Sequence, residues 1–446
     1  MRSKNYPFVI VLTLLSSIFT TAEAQNKKGL TLDEAIQLSL LNSKELKLNQ
    51  EKINEANAAL RQATEGRLPD LKANGAYLRM HNPDITLKLK SSPSSSSESS
   101  IKANTAEYAI ISASLPLFAG FRIKYGIESA KYLAEAVRLD AESDRESMIQ
   151  NTIAAYCNLY KAQQQVTLIG QNLEESQRRV ADFRIQQKNG VVVLNDLLKV
   201  ELEETNSELS LLDAQNNLKM TCLNMNIMLG LPERTELTTD STSFQTLNEV
   251  GDIAIWEENA LQNRREINAL NMREKASVTN IKGIRADYYP GISLTGGYIA
   301  ANIPNLLTVT NAYNIGIGVQ YKINSFWKNQ AKIAQAKSQE KQMLMNEEIL
   351  SDQIRIQINQ VYQDYVLDQK KIEVNRKALL QANENYKVTQ GKYDNKVVIT
   401  TDLLDADQSQ LRAKLNYAFS KADALVAYNK LLLTAGLLSK LTSHNK

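Results

Sequence analysis

Cysteine, histidine and proline are scarce in this 446-residue chain, with two, two and eight copies, and each scarcity removes a class of protein. Cys157 and Cys222 alone cannot staple a disulfide scaffold. His81 sits near an expected strand end and His444 in the tail, with no Cys/His ligand spacing, and no glycine-rich loop opens a helix to hold phosphate. The residues therefore point to no enzyme, no cofactor and no metal. An excess of charge is missing too: 52 basic against 49 acidic residues leave a formal +3, which provides no basic field for nucleic acid. Beyond the N-terminus no apolar run reaches the ~20 residues of a spanning helix. Any membrane contact of the mature chain must use strands or be absent.

The start, "MRSKNYPFVIVLTLLSSIFTTAEA", has a charged opening, a short apolar run and a small-x-small ending at Ala22-Glu23-Ala24. It reads as a cleaved secretory signal, residues 1–24. Neither cysteine follows the cleavage site, so the usual lipoprotein anchor is not expected.

Proline organises the rest. It occurs at 7, 69, 83, 93, 116, 232, 290 and 304, which leaves 117–231 and 305–446 free of the residue that breaks helix interiors. In those stretches apolar residues recur by sevens: Ile358, Tyr365, Ile372, Leu379, Tyr386 and Tyr393 outbound, then Leu404, Leu411, Ala418, Leu425 and Leu432 on the return. A repeat of seven implies supercoiled helix pairs. Leu159, Val166, Leu173 and Val180, returning through Leu202, Leu209 and Leu223, form a looser version. Each half is thus a helical hairpin, turning at "KNGVVVLND" (188–196) and "DNKVVITTD" (394–402). Residues 122–188 and 328–394 are each expected to be one helix, roughly 100 Å long at ~1.5 Å per residue.

The turns match at an offset of 206: Tyr156 with Tyr362, Asp196-Leu197-Leu198 with Asp402-Leu403-Leu404, Gly230 with Gly436. "LPDLKANGAY" (68–77) and "YPGISLTGGY" (289–298) match at 221, through Pro69/Pro290, Gly75/Gly296 and Tyr77/Tyr298. The mature chain is one tandem duplication. The change of offset gives the first half fifteen extra residues, which coincide with the low-complexity "SSPSSSSESS" (91–100), read as a mobile loop. The expected organisation is a first repeat at 25–231 with a strand pair at 68–118 and a hairpin at 120–229. An inter-repeat segment follows at 232–251. The second repeat, 252–437, has its strand pair at 289–324 and its hairpin at 326–436, and a tail of 438–446 closes the chain.

The interrupting segments alternate. Tyr313, Ile315, Ile317, Val319, Tyr321 and Ile323 oppose Asn314, Gly316, Gly318, Gln320 and Lys322. Ala109, Ile111, Ala113, Leu115 and Leu117 oppose Ser112 and Ser114, and the two matched segments behave likewise. Four strands of about ten residues, greasy on one face and polar on the other, have the ~9–11 residues needed to cross a bilayer as barrel strands. A soluble four-stranded sheet packed on a helix has the same pattern. The Gly, Ser, Thr and Asn of the polar face suit a watery lumen, and four strands cannot enclose water, so closure needs several chains.

Here the chain resembles the TolC family of outer-membrane efflux proteins. The resemblance is carried by "LTLDEAIQLSLLNSKEL", "LPDL" and "YPGI", "LPLFAGFRIKYGIESAK", and "NKVVITTDLLDADQSQL", in their order and duplication. It implies a mainly α fold with membrane β: a homotrimer whose duplicated helical hairpins form an α-barrel across the periplasm and whose strands, four per chain, share a twelve-stranded outer-membrane barrel. Helices 31–66 and 252–287 would stack on the return helices, and 232–251 would join a band around the tunnel. The implied function is the passive outer-membrane channel of a tripartite efflux or type I secretion system, in a Gram-negative outer membrane. The implied partners are a periplasmic adaptor and an inner-membrane transporter. The rival is an extracytoplasmic coiled coil such as a periplasmic adaptor, which would not duplicate both strand pair and hairpin.

In "TTDLLDAD", Asp402 and Asp405 are three apart and share a helix face. The resemblance places an acidic constriction there, six carboxylates in a trimer, which would bind cations or raise carboxylate pKa values. The other reading is local: Thr401 or Asp402 caps the return helix and Asp405 decorates its first turn. The resemblance also assigns Asp196 and Tyr393 to the tethering of neighbouring hairpins, with Val398 where an arginine would be expected. Cys157 and Cys222 lie at similar heights on one hairpin, so a disulfide is conceivable. An outward heptad position for Cys157, two residues before Leu159, favours two unpaired thiols.

Overall fold

The computed structural model describes residues 27–81, 103–240, 244, 249–304 and 306–438. The signal segment, the serine-rich run, His444 and nearly all of the C-terminal tail lie outside them. The element order is β1 (Lys27–Leu30), α1 (Leu32–Asn42), α2 (Lys44–Glu65), β2 (Asp70–Arg79), β3 (Thr105–Ala119), α3 (Arg122–Lys188), α4 (Leu194–Leu229) and β4 (Glu236–Thr239). Then follow α5 (Ile253–Asn263), α6 (Arg265–Arg285), β5 (Gly291–Ile303), β6 (Leu307–Gln320), α7 (Ser325–Asp394) and α8 (Thr400–Thr434).

The long helices form where proline is absent. α3 is 67 residues long and α7 is 70. The hairpin turns sit at matching positions: Gly190 at φ 72° and, 206 residues on, Lys396 at φ 59°. Gly230 and Gly436, also 206 apart, both have φ 68°, the left-handed conformation that ends a helix by turning its backbone.

The expected helices 31–66 and 252–287 are each broken once. Ser43 (φ −55°, ψ 123°) separates α1 from α2, and Arg264 (φ −62°, ψ 129°) separates α5 from α6. The breaks are 221 residues apart, so the duplication copied them. Neither involves proline or glycine. At Ser43 the side chain supplies the reason, since its Oγ accepts the Leu46 N–H at 3.2 Å and caps the new helix.

The described residues fall into two compact units, each gathering segments from both halves of the sequence: those within Met1–Leu46, Asp144–Gln262 and Arg355–Lys446 in one, those within Lys47–Ser143 and Asn263–Ile354 in the other. In the first, a core forms around Ile149, Ile153, Tyr156, Cys157, Leu229 and Leu432 together with Leu30, Leu237 and Phe244. β1 and β4 pair in parallel beside it. The Tyr156 hydroxyl donates to the Leu30 carbonyl at 3.0 Å and accepts the Asp240 N–H at 2.9 Å. Cys157 is fully buried here, contrary to the outward position its heptad suggests, because β1, β4 and Phe244 supply a second surface that helix periodicity does not register. Both thiols are unpaired, as expected.

The second unit holds a four-stranded antiparallel sheet in the order β2-β3-β5-β6. Its register aligns the apolar residues across all four strands. Leu71, Ala113, Gly296 and Ile315 form one row, and Ala73, Ile111, Tyr298 and Tyr313 the next. Directly paired residues share a face, so these rows make one continuous greasy surface. Lys72, Ser112, Gly297 and Asn314 make a polar row on the other side. Gly297 is required by crowding, since a Cβ there would meet the Ile111 carbonyl oxygen at 2.6 Å. Tyr321 and Ile323 fall just beyond β6 rather than in it.

Among the described residues nothing covers the greasy side of β6: Tyr313, Ile315, Ile317 and Val319 are 77, 83, 69 and 68% exposed. Among the described residues, β2 and β6 are edges with no strand beyond them. No described helix is long and apolar enough to cross a membrane.

Candidate functional site

The two hairpin turns meet in one apolar cluster. Val180 and Phe183 of α3, Leu197 and Val200 of α4 and Leu404 of α8 are buried together, with Val192 and Tyr393 against them. Tyr393 stacks on Phe183 with ring centroids 5.7 Å apart and planes 10° from parallel. Its hydroxyl bonds to that of Thr400, while burial, with added repulsion from the Asp196 and Asp394 carboxylates, holds the phenol pKa above its ordinary value. Asp196 and Tyr393 are thus brought close in one chain, but the tyrosine's hydrogen bond goes to Thr400. Asp196 itself is 3.3 Å from Lys199.

Asp402 is the third residue of α8, and one of its oxygens accepts the Ile399 N–H at 3.3 Å. This is the helix-starting bond of the local reading, and a carboxylate there also faces the positive end of the helix dipole. Asp402 and Asp405 are both exposed. The duplication sharpens the contrast between the turns. Asp196 matches Asp402, and Lys199 matches Asp405. The first return helix opens with a compensated Asp–Lys pair, the second with two carboxylates one turn apart.

Above this layer is a polar network that the sequence patterns did not disclose. Arg179 Nη1 donates to Asp407 Oδ2 at 2.9 Å, and its Nη2 donates to the Tyr386 hydroxyl at 3.3 Å. Asn172 Nδ2 also donates to Asp407 Oδ2 at 3.3 Å, and Ser207 Oγ donates to Asn172 Oδ1 at 3.2 Å. Asp407 is 2% exposed, and its Oδ1 has no protein partner. Burial alone would lower the Arg179 pKa; the charge and hydrogen bond of Asp407, helped by Tyr386, outweigh it and leave a net rise. The signal was available in retrospect. Asp407 lies three residues after Leu404 and four before Leu411, a seam position where a charge demands a buried partner.

Beside the network a groove of about 360 Å³ is lined by Arg179, Phe183, Tyr386, Tyr393 and Leu403, among others. Among the described residues, no group of three or more His, Cys, Asp or Glu side chains is placed to hold a metal ion. The arrangement has an acid face and an internal latch.

The chain matches the family model described as outer membrane efflux protein over residues 35–231 and 256–437. The outer membrane efflux protein BepC of Brucella suis biovar 1 (strain 1330) is 22% identical over 338 residues, 72% of this chain and 70% of that protein. Two solved structures show the same fold. VceC of Vibrio cholerae, an outer membrane protein, superposes with a TM-score of 0.74 at 15% identity, covering 91% of this chain and 96% of that one. The open-state MtrE outer membrane channel of Neisseria gonorrhoeae superposes at 0.72 and 18%, covering 91% and 89%.

Proposed function

This chain belongs to the outer membrane efflux protein family and is an outer-membrane channel protein; on that premise we propose that it works as a homotrimeric, passive conduit with no chemistry of its own. The observation that carries the reading is the uncovered greasy face of β6 on a sheet with two open edges. An exposed row of Tyr, Ile, Ile and Val is costly in water, at roughly 25 cal/mol per Å² of apolar surface, and open edges invite aggregation. Lipid on one face and a second chain at each edge remove both costs. Three chains give twelve strands, enough to enclose a lumen lined by the polar rows.

The long hairpins then continue the lumen into the periplasm, where an adaptor and an inner-membrane transporter supply cargo and energy. Asp402 and Asp405 form the acidic constriction at the tip, with Asp196 and Tyr393 beside it as tethers. Opening exchanges contacts within the trimer for contacts with the adaptor, a shift between two packings of the tip.

The test is fractionation. The protein should stay with outer membranes through salt and alkaline washes, be released by detergent, and run in detergent at three times the mass of one mature chain. Release as a monomer without detergent would overturn the reading.

A further inference from the structure

The two faces of the sheet exchange character along its length. Near the helices one face is polar, in the rows Asp70, Ser114, Thr295, Gly316 and Lys72, Ser112, Gly297, Asn314. Toward the hairpin ends the same face turns apolar. Its next row is Asn74, Ile110, Ile299 and Ala312, and the one after is Ala76, Tyr108, Ala301 and Val309. Beyond these, Leu78 pairs with Ala106 and Ile303 with Leu307. The other face changes in the opposite sense. Its greasy rows give way to Tyr77, Glu107, Asn302 and Thr308, where Thr308 Oγ1 donates to Asn302 Oδ1 at 3.1 Å.

A bulge in β6 completes the exchange. Ile299 pairs with Ala312 but Ala301 pairs with Val309, so β6 has one residue more than β5 at this level. Regular alternation would have set Thr310 and Thr308 on the face of Ala312. With the extra residue Val309 and Leu307 stand there instead, and Thr308 turns to the opposite face. Asn311, within the bulge, has φ 56°, a conformation that costs an L-residue energy. The chain bears that strain at the place where it re-aims two apolar side chains.

We propose that Tyr108, Ile110, Ile299 and Val309 form an apolar collar inside the outer mouth of the barrel, a binding site for small uncharged aromatic or apolar molecules leaving through it. The inference rests on the barrel reading above and adds a class of cargo. All four strands meet the helices at one end of the sheet, so with the helices in the periplasm the hairpin ends lie at the outer mouth. The collar face looks into the lumen, because the opposite face gives its greasy rows to lipid. Neighbouring chains join at the edges of β2 and β6 and leave the face itself open. What meets the collar is therefore what the lumen carries. Its two full rows hold no charged side chain for a metal ion or a charged peptide, and their only polar side-chain groups are the Asn74 amide and the Tyr108 hydroxyl. Tyr108 is 39% exposed and is paired with Ala76 on one side and Ala301 on the other. Neighbours that small leave its ring free to stack on a planar solute.

Planar bilayers holding the detergent-purified full-length protein provide the test, with indole as the probe because it is uncharged, aromatic and water-soluble. Indole should reduce the open-channel current reversibly. Ile110→Ser with Ile299→Ser should weaken that effect several-fold, since it removes apolar contact from the bound solute. Ala109→Ser, on the lipid side of the same strand, should keep the full effect. A conducting wild type indifferent to indole, or an equal loss in both variants, would overturn the collar and leave the barrel reading standing; wild-type protein that inserts and passes no ions overturns both. Should the serine pair fail to assemble, Tyr108→Cys replaces it. A cationic thiol reagent should change the current of that variant and not of wild type, and indole should slow the change. No modification would show the collar covered by the chain itself, and modification at the same rate with indole would show it unoccupied; either result contradicts the proposal.

Discussion

Arg179 Nη1 stands 2.9 Å from Asp407 Oδ2 in a site that leaves Asp407 2% exposed, joining α3 to α8 through a buried ion pair. Removing one member strands the other charge, which costs about 3–5 kcal/mol, whereas replacing both with apolar residues of similar volume is often neutral. Asp407→Ala should therefore lower the melting temperature of the detergent-purified protein markedly. Arg179→Met with Asp407→Leu should recover most of the loss. A single variant as stable as wild type would show that the pair is not held as described.

Asp402→Ala with Asp405→Ala should weaken block of the channel by divalent cations, because a ring of carboxylates concentrates them at the constriction. The same change removes the bond to the Ile399 N–H, so a loss of about 1 kcal/mol of stability is expected beside it. Asp402→Asn with Asp405→Asn lowers charge while keeping side-chain oxygens that can accept that bond, and should reproduce the loss of block. Unchanged block in planar bilayers contradicts the assignment of the constriction to these residues.

The duplication, the hairpins and the strand faces were legible because each leaves a periodic trace: sevens in the seams, twos in the strands, and constant offsets of 206 and 221 between halves. The register bears this out row by row, from Leu71 to Ile315. Three features were harder to read. The breaks at Ser43 and Arg264 involve neither proline nor glycine, and only their separation of 221 betrays them. Cys157 is buried by β1 and β4, which arrive from distant sequence, so its heptad position was a poor guide. Asp407 was hidden in plain view among the acids of "DLLDADQ", since a buried charge is identified by its partner 228 residues away.

Lys396 holds φ at 59° where the matched turn uses Gly190 at 72°. An L-residue pays roughly 1–2 kcal/mol in that region, and glycine returns part of it as chain entropy. Lys396→Gly should raise stability by about 1 kcal/mol, and Gly190→Ala should lower it by a comparable amount. Differential scanning of the two variants checks both signs; a destabilised Lys396→Gly contradicts the strain.

Alkaline stability should depend on the core around Cys157. Burial raises its thiol from 9.0 to about 12, with Lys161 opposing slightly, and burial raises the neighbouring Tyr156 phenol from 10.0 to about 12. Above pH 9 the unfolded thiol loses its proton while the folded one keeps it, so the unfolded state binds fewer protons and stability falls with rising pH. The thiol's contribution is intact below pH 9 and the phenol's below pH 10; each is lost progressively from there up to about 12, at about 1.4 kcal/mol per unit. Cys157→Ala should make that fall shallower. Denatured, unreduced protein should titrate two thiols; fewer would mean the pairing that the structure lacks.

Current across a planar bilayer measures directly whether water passes through a cylinder shared by several chains. Detergent-purified protein should insert with discrete, ion-conducting steps that added divalent cations reduce from one side. Protein shown to be inserted yet passing no ions under any tested voltage or cation concentration would contradict it.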